Sequence, residues 1–159
     1  MKKVWKYLPD AMAVFMAVIF LDSLRYKFTD HPKTQEIFGR LDGWAGVIGA
    51  PGLFGHTGLF SQYVIGSIEL LASGLLILGL HPRFKHLQAG GALAGLPVMM
   101  GAVSFHLFTP LGIDPNNDGG GLFAAACTNL AFAAVLLLGF RRASLVELIR
   151  RVTEVVKPS

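Results

Sequence analysis

Charge is scarce in this chain. Asp, Glu, Lys and Arg make up 15% of 159 residues, where a soluble domain carries about a quarter. Cysteine is scarcer, with Cys127 alone. A single cysteine makes no internal disulfide, no CxxC redox pair and no thiolate zinc site. No P-loop, Rossmann glycine fingerprint, GxSxG or HExxH run occurs, so the usual marks of nucleotide binding, hydrolysis and zinc proteolysis are missing. No metal-ligand set with firm spacing exists, because Glu69 and His106 are only two groups. No residue declares itself catalytic. The net charge of +4 does not imply nucleic acid. The basic residues flank apolar segments, and no basic and aromatic interleaving marks a soluble binding module.

Apolar residues fill the space that charge leaves. They are 53% of the chain, with 19 glycines, a composition suited to closely packed membrane helices. Four stretches are long enough to span a bilayer. They run from about 8–24, 61–80, 87–107 and 122–140. The first follows Lys2, Lys3 and Lys6, as a signal peptide would. No small-x-small cleavage site follows it, so it reads as a retained helix. The expected fold is all-α: an integral membrane four-helix bundle, one domain over 1–159, with the lipid bilayer as its partner.

Lys and Arg in short loops set the orientation. Lys2, Lys3 and Lys6, then Arg83 and Lys85, then Arg141, Arg142, Arg150, Arg151 and Lys157 fall on one side. Arg25, Lys27, Lys33 and Arg40 fall on the other. Both termini are expected in the cytoplasm. His81-Pro82-Arg83 reads as a tight inner hairpin. The outer connection from Arg25 to Phe60 is long. Within it Gly recurs every third position from Gly43 to Gly58. Two readings stay open for 43–58: a re-entrant or interfacial loop with close backbone approach, and a flexible outer loop. After the last span, Ser144 and Glu147 have the spacing of a capping box. Leu145, Leu148, Ile149, Val152 and Val156 then share a helical face, which predicts an amphipathic surface helix over 144–156. In the third span Gly91-x-x-x-Gly95 predicts close helix contact, and Pro97 predicts a bend.

Glu69 carries the sharpest functional signal. It lies inside the second span among Ile65, Ile68, Leu70 and Leu71. An ionised carboxylate there costs a few kcal/mol or more. It must meet a counter-charge, take up a proton or face a wet cavity. Gly66 and Ser73 share its face. Asp22 and Arg25 are spaced to pair at the end of the first span, with Lys27 beyond. His106 ends the third span and Asn129 lies in the fourth. A polar cluster opening outward follows from that topology, with Glu69, Lys27, His106, Arg25, Asp22, Ser73 and Asn129 as candidate ligand-binding residues. The bland alternative for Glu69 is a structural bond to another helix.

These residues also carry a resemblance. Phe20-Leu21-Asp22-Ser23-Leu24-Arg25-Tyr26-Lys27-Phe28, Ile65-Gly66-Ser67-Ile68-Glu69, Leu78-Gly79-Leu80, His106 and Asp118-Gly119-Gly120 resemble, in order and spacing, the DoxX family of small bacterial membrane proteins. The outer connection is longer than the family's short forms. The resemblance implies four helices in the bacterial inner membrane, with Lys27 and Glu69 at the family's recurring basic and acidic positions. It further implies a subunit of a redox or quinone-linked assembly, with a quinone as ligand and partner redox subunits beside it. Other readings stay open: a small-ligand or lipid-binding bundle, and a non-catalytic scaffold. The sequence leaves self-association into a homo-oligomer open as well.

Overall fold

The computed structural model describes residues 2–156. Lys157 and the side chains of Lys2 and Lys3, which entered the orientation argument, lie outside the described residues. The described chain is helical throughout, without a strand. The helices are α1 (Lys2–Lys27), α2 (Pro32–Val47), α3 (Gln62–Leu78), α4 (Leu87–Phe108), α5 (Gly121–Val135) and α6 (Arg142–Val156). A short 3-10 turn, Pro82–Phe84, links α3 to α4, and a π-helical turn, Leu136–Phe140, follows α5. Trp5–Lys27, Leu87–Phe108 and Gly121–Phe140 are long and apolar enough to cross a membrane. The α3 helix is apolar but shorter, at 17 residues.

The boundaries follow local chemistry. The Ser61 hydroxyl accepts the Val64 N–H and starts α3. His81 does the same for Arg83 at the expected tight turn. The α1 helix begins well before residue 8, because lysines at a helix end do not stop it. The α4 helix continues through Pro97.

Two expectations need correction. The connection between the first two spans is not one long loop. It contains α2, opened by Pro32 in the first turn and by a His31 side chain that accepts the Lys33 N–H. The glycine repeat hid this helix, since glycine disfavours helices by about 1 kcal/mol per residue. Gly43 and Gly46 lie within α2, while Gly58 alone shows close approach, with the Gly52 and Leu53 carbonyls where a Cβ would stand. The second correction concerns the tail. The α6 helix starts at Arg142, so Ser144 is inside it rather than capping it. Glu147 instead accepts from Arg150 and Arg151. Those guanidiniums hold its carboxyl at about 2.

The α3 helix packs on α1 and α4, and α5 packs on α4 and α1. One core, including Met16, Phe20, Ala72, Leu76, Ala92 and Leu136, runs between them. The small residues of α4 decide the distance. A Cβ on Gly91 would lie 2.8 Å from the Ala72 carbonyl oxygen, and one on Gly95 would lie 2.7 Å from the Phe20 ring. A second core joins Leu41 and Ala45 of α2 to Phe54 and Leu111, with Phe105 of α4 beside it. The α2 helix and the two connections therefore form a cap over one end of the packed helices.

A side chain at Gly91 must push backbone aside, and such overpacking costs about 1–3 kcal/mol or more. Gly91→Leu is expected to lower the unfolding temperature in detergent clearly. Gly90→Ala, whose Cβ meets only a Leu75 methyl at 3.5 Å, is expected to leave it near that of the parent.

Candidate functional site

Lys27 is the last residue of α1, and Glu69 lies two turns into α3. The Lys27 ammonium sits 2.9 and 2.7 Å from the two carboxylate oxygens of Glu69. Ser23, one turn before Lys27 on the same face, donates to Oε2 at 2.5 Å and accepts from Lys27 at 3.0 Å. Glu69 is 3% exposed and the lysine side chain 14%. Gly66 packs beside this pair. A Cβ there would come within 3.5 Å of the lysine stem and 3.2 Å of the Phe28 ring.

The pair faces a cavity of about 520 Å³ at the capped end of the helices. That volume suits a small organic molecule. Its polar lining includes Asp22, Ser23, Lys27, Lys33, Glu69, His106 and Asp118, and most of the remainder is apolar or aromatic. His106 is buried. Its Nδ1 lies 2.6 Å from the Gly112 carbonyl oxygen, which only accepts, so Nδ1 carries a hydrogen. In the neutral ring Nε2 then remains as an acceptor. Asp118 is occupied in capping α5, accepting from Gly121 and Leu122 N–H.

The structure sorts the predicted residues. Glu69, Lys27, His106 and Asp22 line the same cavity. Arg25 does not: it is exposed, pairing with Asp22 at 2.9 Å and donating to the Tyr26 hydroxyl. Ser73 shares the Glu69 face but donates to its backbone carbonyl, not to the carboxylate. Asn129 is fully buried, and neither amide atom has a partner. It lies one turn along α5 from Ala125 and Ala126, which do line the cavity. No group of three or more His, Cys, Asp and Glu residues is placed to hold a metal ion among the described residues.

Sequence reasoning missed Ser23, although its spacing to Lys27 was readable. It also missed a second polar cluster at the opposite end. There Asp10 of α1 accepts from Lys85 at 2.5 and 2.6 Å and from the buried Gln88 at 2.8 Å. Arg141, delivered by the π-helical turn, donates to Gln88 at 2.8 Å. The signal was Asp10 itself, a carboxylate within the first apolar stretch. A third cluster ties the cap down. Asp30 accepts from Gln35 of α2 and from Gln62 and Tyr63 of α3. The Tyr63 hydroxyl is the main cause holding the Asp30 carboxyl below its ordinary 3.8.

Comparison with known proteins adds no assignment: no family model, curated protein or solved structure shows a significant match to the chain.

Removing one partner of a buried ion pair costs about 3–5 kcal/mol, whereas replacing both with apolar groups is often neutral. Lys27→Met and Glu69→Leu are each expected to destabilise the protein. The double variant should recover most of the loss in a thermal cycle. A double variant as unstable as the two losses summed would show that the charges do not act as a pair. The Asp30 tether gives a separate pH signature. A carboxyl with a lowered folded value stabilises fully above its ordinary value, and that contribution is lost as pH falls through the lowered one. Amide exchange in α2 is therefore expected to accelerate below pH 3.8 before exchange in α4 does.

Proposed function

We propose that this chain is an inner-membrane protein in which α1, α3, α4 and α5 span the bilayer as a four-helix bundle, both termini in the cytoplasm. In this reading the capped cavity binds a small, uncharged, amphipathic ring compound. The observation that carries it is the wall of the cavity. A carboxylate and an ammonium meet there and neutralise each other, and the other charged groups of the lining, Asp22, Lys33 and Asp118, are solvent-exposed, so the buried part offers a charged ligand no counter-charge. A ligand with carbonyl or hydroxyl groups can compete for the Ser23 and Lys27 hydrogens that now go to Glu69, with the His106 ring on the same cavity. The aromatic and aliphatic remainder suits a ring and the start of a hydrocarbon tail.

A quinone headgroup has this chemistry. The resemblance to the DoxX family points the same way, since the basic and acidic positions that it marks, Lys27 and Glu69, are the pair on the cavity wall. With Cys127 as its only thiol, the chain has no dithiol of its own to carry electrons. In a quinone-linked role it would position the headgroup for a partner redox subunit.

The test is extraction of the protein, purified in mild detergent, with organic solvent, followed by mass spectrometry. A quinone near one per chain is expected in the parent, with marked loss in Phe105→Ala and in His106→Leu. A protein that yields only bulk phospholipid, and that takes up no added short-chain quinone, rejects the reading.

A further inference from the structure

The outer cap carries a segment that does not suit water. From Gly43 to Phe60 the chain holds no Asp, Glu, Lys or Arg. The charges of α2 all lie earlier, at Lys33, Glu36, Arg40 and Asp42. The α2 helix is thus charged where it begins and uncharged where it ends. Beyond it, large apolar side chains point outward: Val47 is 86% exposed and Leu59 68%, with Ile48 and Phe60 exposed beside them.

The backbone of this segment is partly self-contained. The N–H groups of Ile48, Gly49 and Ala50 fold back onto carbonyls at the end of α2. Those at 53, 55, 58, 60 and 61 bond to carbonyls within the segment. The Phe54 N–H reaches the Asp42 carboxylate. The N–H groups of Gly52, His56, Thr57 and Leu59 have no partner among the described residues, which suits the hydrated interface of a bilayer rather than its hydrocarbon centre, where irregular backbone is tolerated only when buried in protein or lining a cavity.

Depth agrees. The rings of Phe54 and Trp44 pack on Phe105, at 5.1 and 6.4 Å between centroids. Phe105 is three residues short of the end of α4, about 4.5 Å inside it at the helical rise. Leu107 and Phe108, beyond it, are exposed and apolar. The outward face of the cap therefore continues the apolar outer surface of α4 rather than standing above it.

We infer that residues 43–60 lie in the interfacial region of the outer leaflet, with the Val47, Ile48 and Leu59 side chains inserted towards the lipid. This rests on the membrane reading above. Phe60 is exposed beside them and also lines the cavity.

The test uses single cysteines in a Cys127→Ser background, labelled with an environment-sensitive fluorophore and reconstituted in phosphatidylcholine vesicles. Leu59→Cys and Val47→Cys report on the cap, Leu70→Cys on the exposed middle of α3, and Lys33→Cys on the charged start of α2. At positions 59 and 47, doxyl-labelled lipid is expected to quench several-fold more strongly than at 33, and aqueous iodide several-fold less. Iodide quenching at 59 and 47 as strong as at 33, with 70 still lipid-quenched, overturns this inference alone. Iodide access at 70 as well overturns the membrane reading with it. Protection of 59 and 47 from both quenchers, with a dimer mass, places a second copy of the chain on this face and also overturns the inference.

Discussion

Two charges taken out of water each carry a desolvation cost of several kcal/mol, and their attraction offsets it only when the geometry is good and the remaining oxygens are hydrogen-bonded. Lys27 and Glu69 meet both conditions, with Ser23 completing the carboxylate. Much of the local sequence serves that arrangement. Gly66 leaves room for the Phe28 ring beside the pair. The Ser23 and Lys27 spacing aims both groups at one point. The result holds the end of α1 against the middle of α3 and leaves a self-neutralising pair facing the cavity.

A second clasp holds the other end of α1. Asp10 takes Lys85, Gln88 and, at 3.8 Å, Arg141. The two clusters share α1 and little else. One pins it to α3, the other to the turn before α4, to α4 itself and to the chain after α5. Between them the helices meet through small residues and aliphatic packing, with no further charge. Polar groups therefore fix which helices are neighbours, and Gly91 and Gly95 fix how close they come. The cap is held more lightly, by its own small core and by the exposed Asp30 cluster.

The sequence made the helical class legible because long uncharged runs have few other uses. It also made Glu69 legible, because a carboxylate among Ile65, Ile68, Leu70 and Leu71 demands an explanation. Lys27, His106 and Asp22, which the sequence puts near helix ends, line the same cavity as Glu69. What stayed hidden depended on direction or on distant pairing. Ser73 has the right spacing, but its hydroxyl bonds the Glu69 backbone carbonyl, and Arg25 pairs with Asp22 as their spacing suggests, away from the carboxylate. Asp10 finds partners 75 residues and more along the chain, which no local pattern announces. The α2 helix was masked because its stability comes from tertiary contact through Ile37, Leu41 and Ala45, while its glycines speak against it.

The sequence separation of the two clasps has a consequence in time. Glu69 follows Lys27 by 42 positions, and Lys85 follows Asp10 by 75. During synthesis α1 is complete before either partner has been made. In a membrane, this helix would wait at the insertion machinery with two unneutralised charges. The partner of Lys27 is made first. Arg141 joins Asp10 only after nearly the whole chain has been translated. The order in which the partners are made is thus written into the spacing of the charges, and a chain truncated before Lys85 would leave Asp10 with neither of its cationic partners.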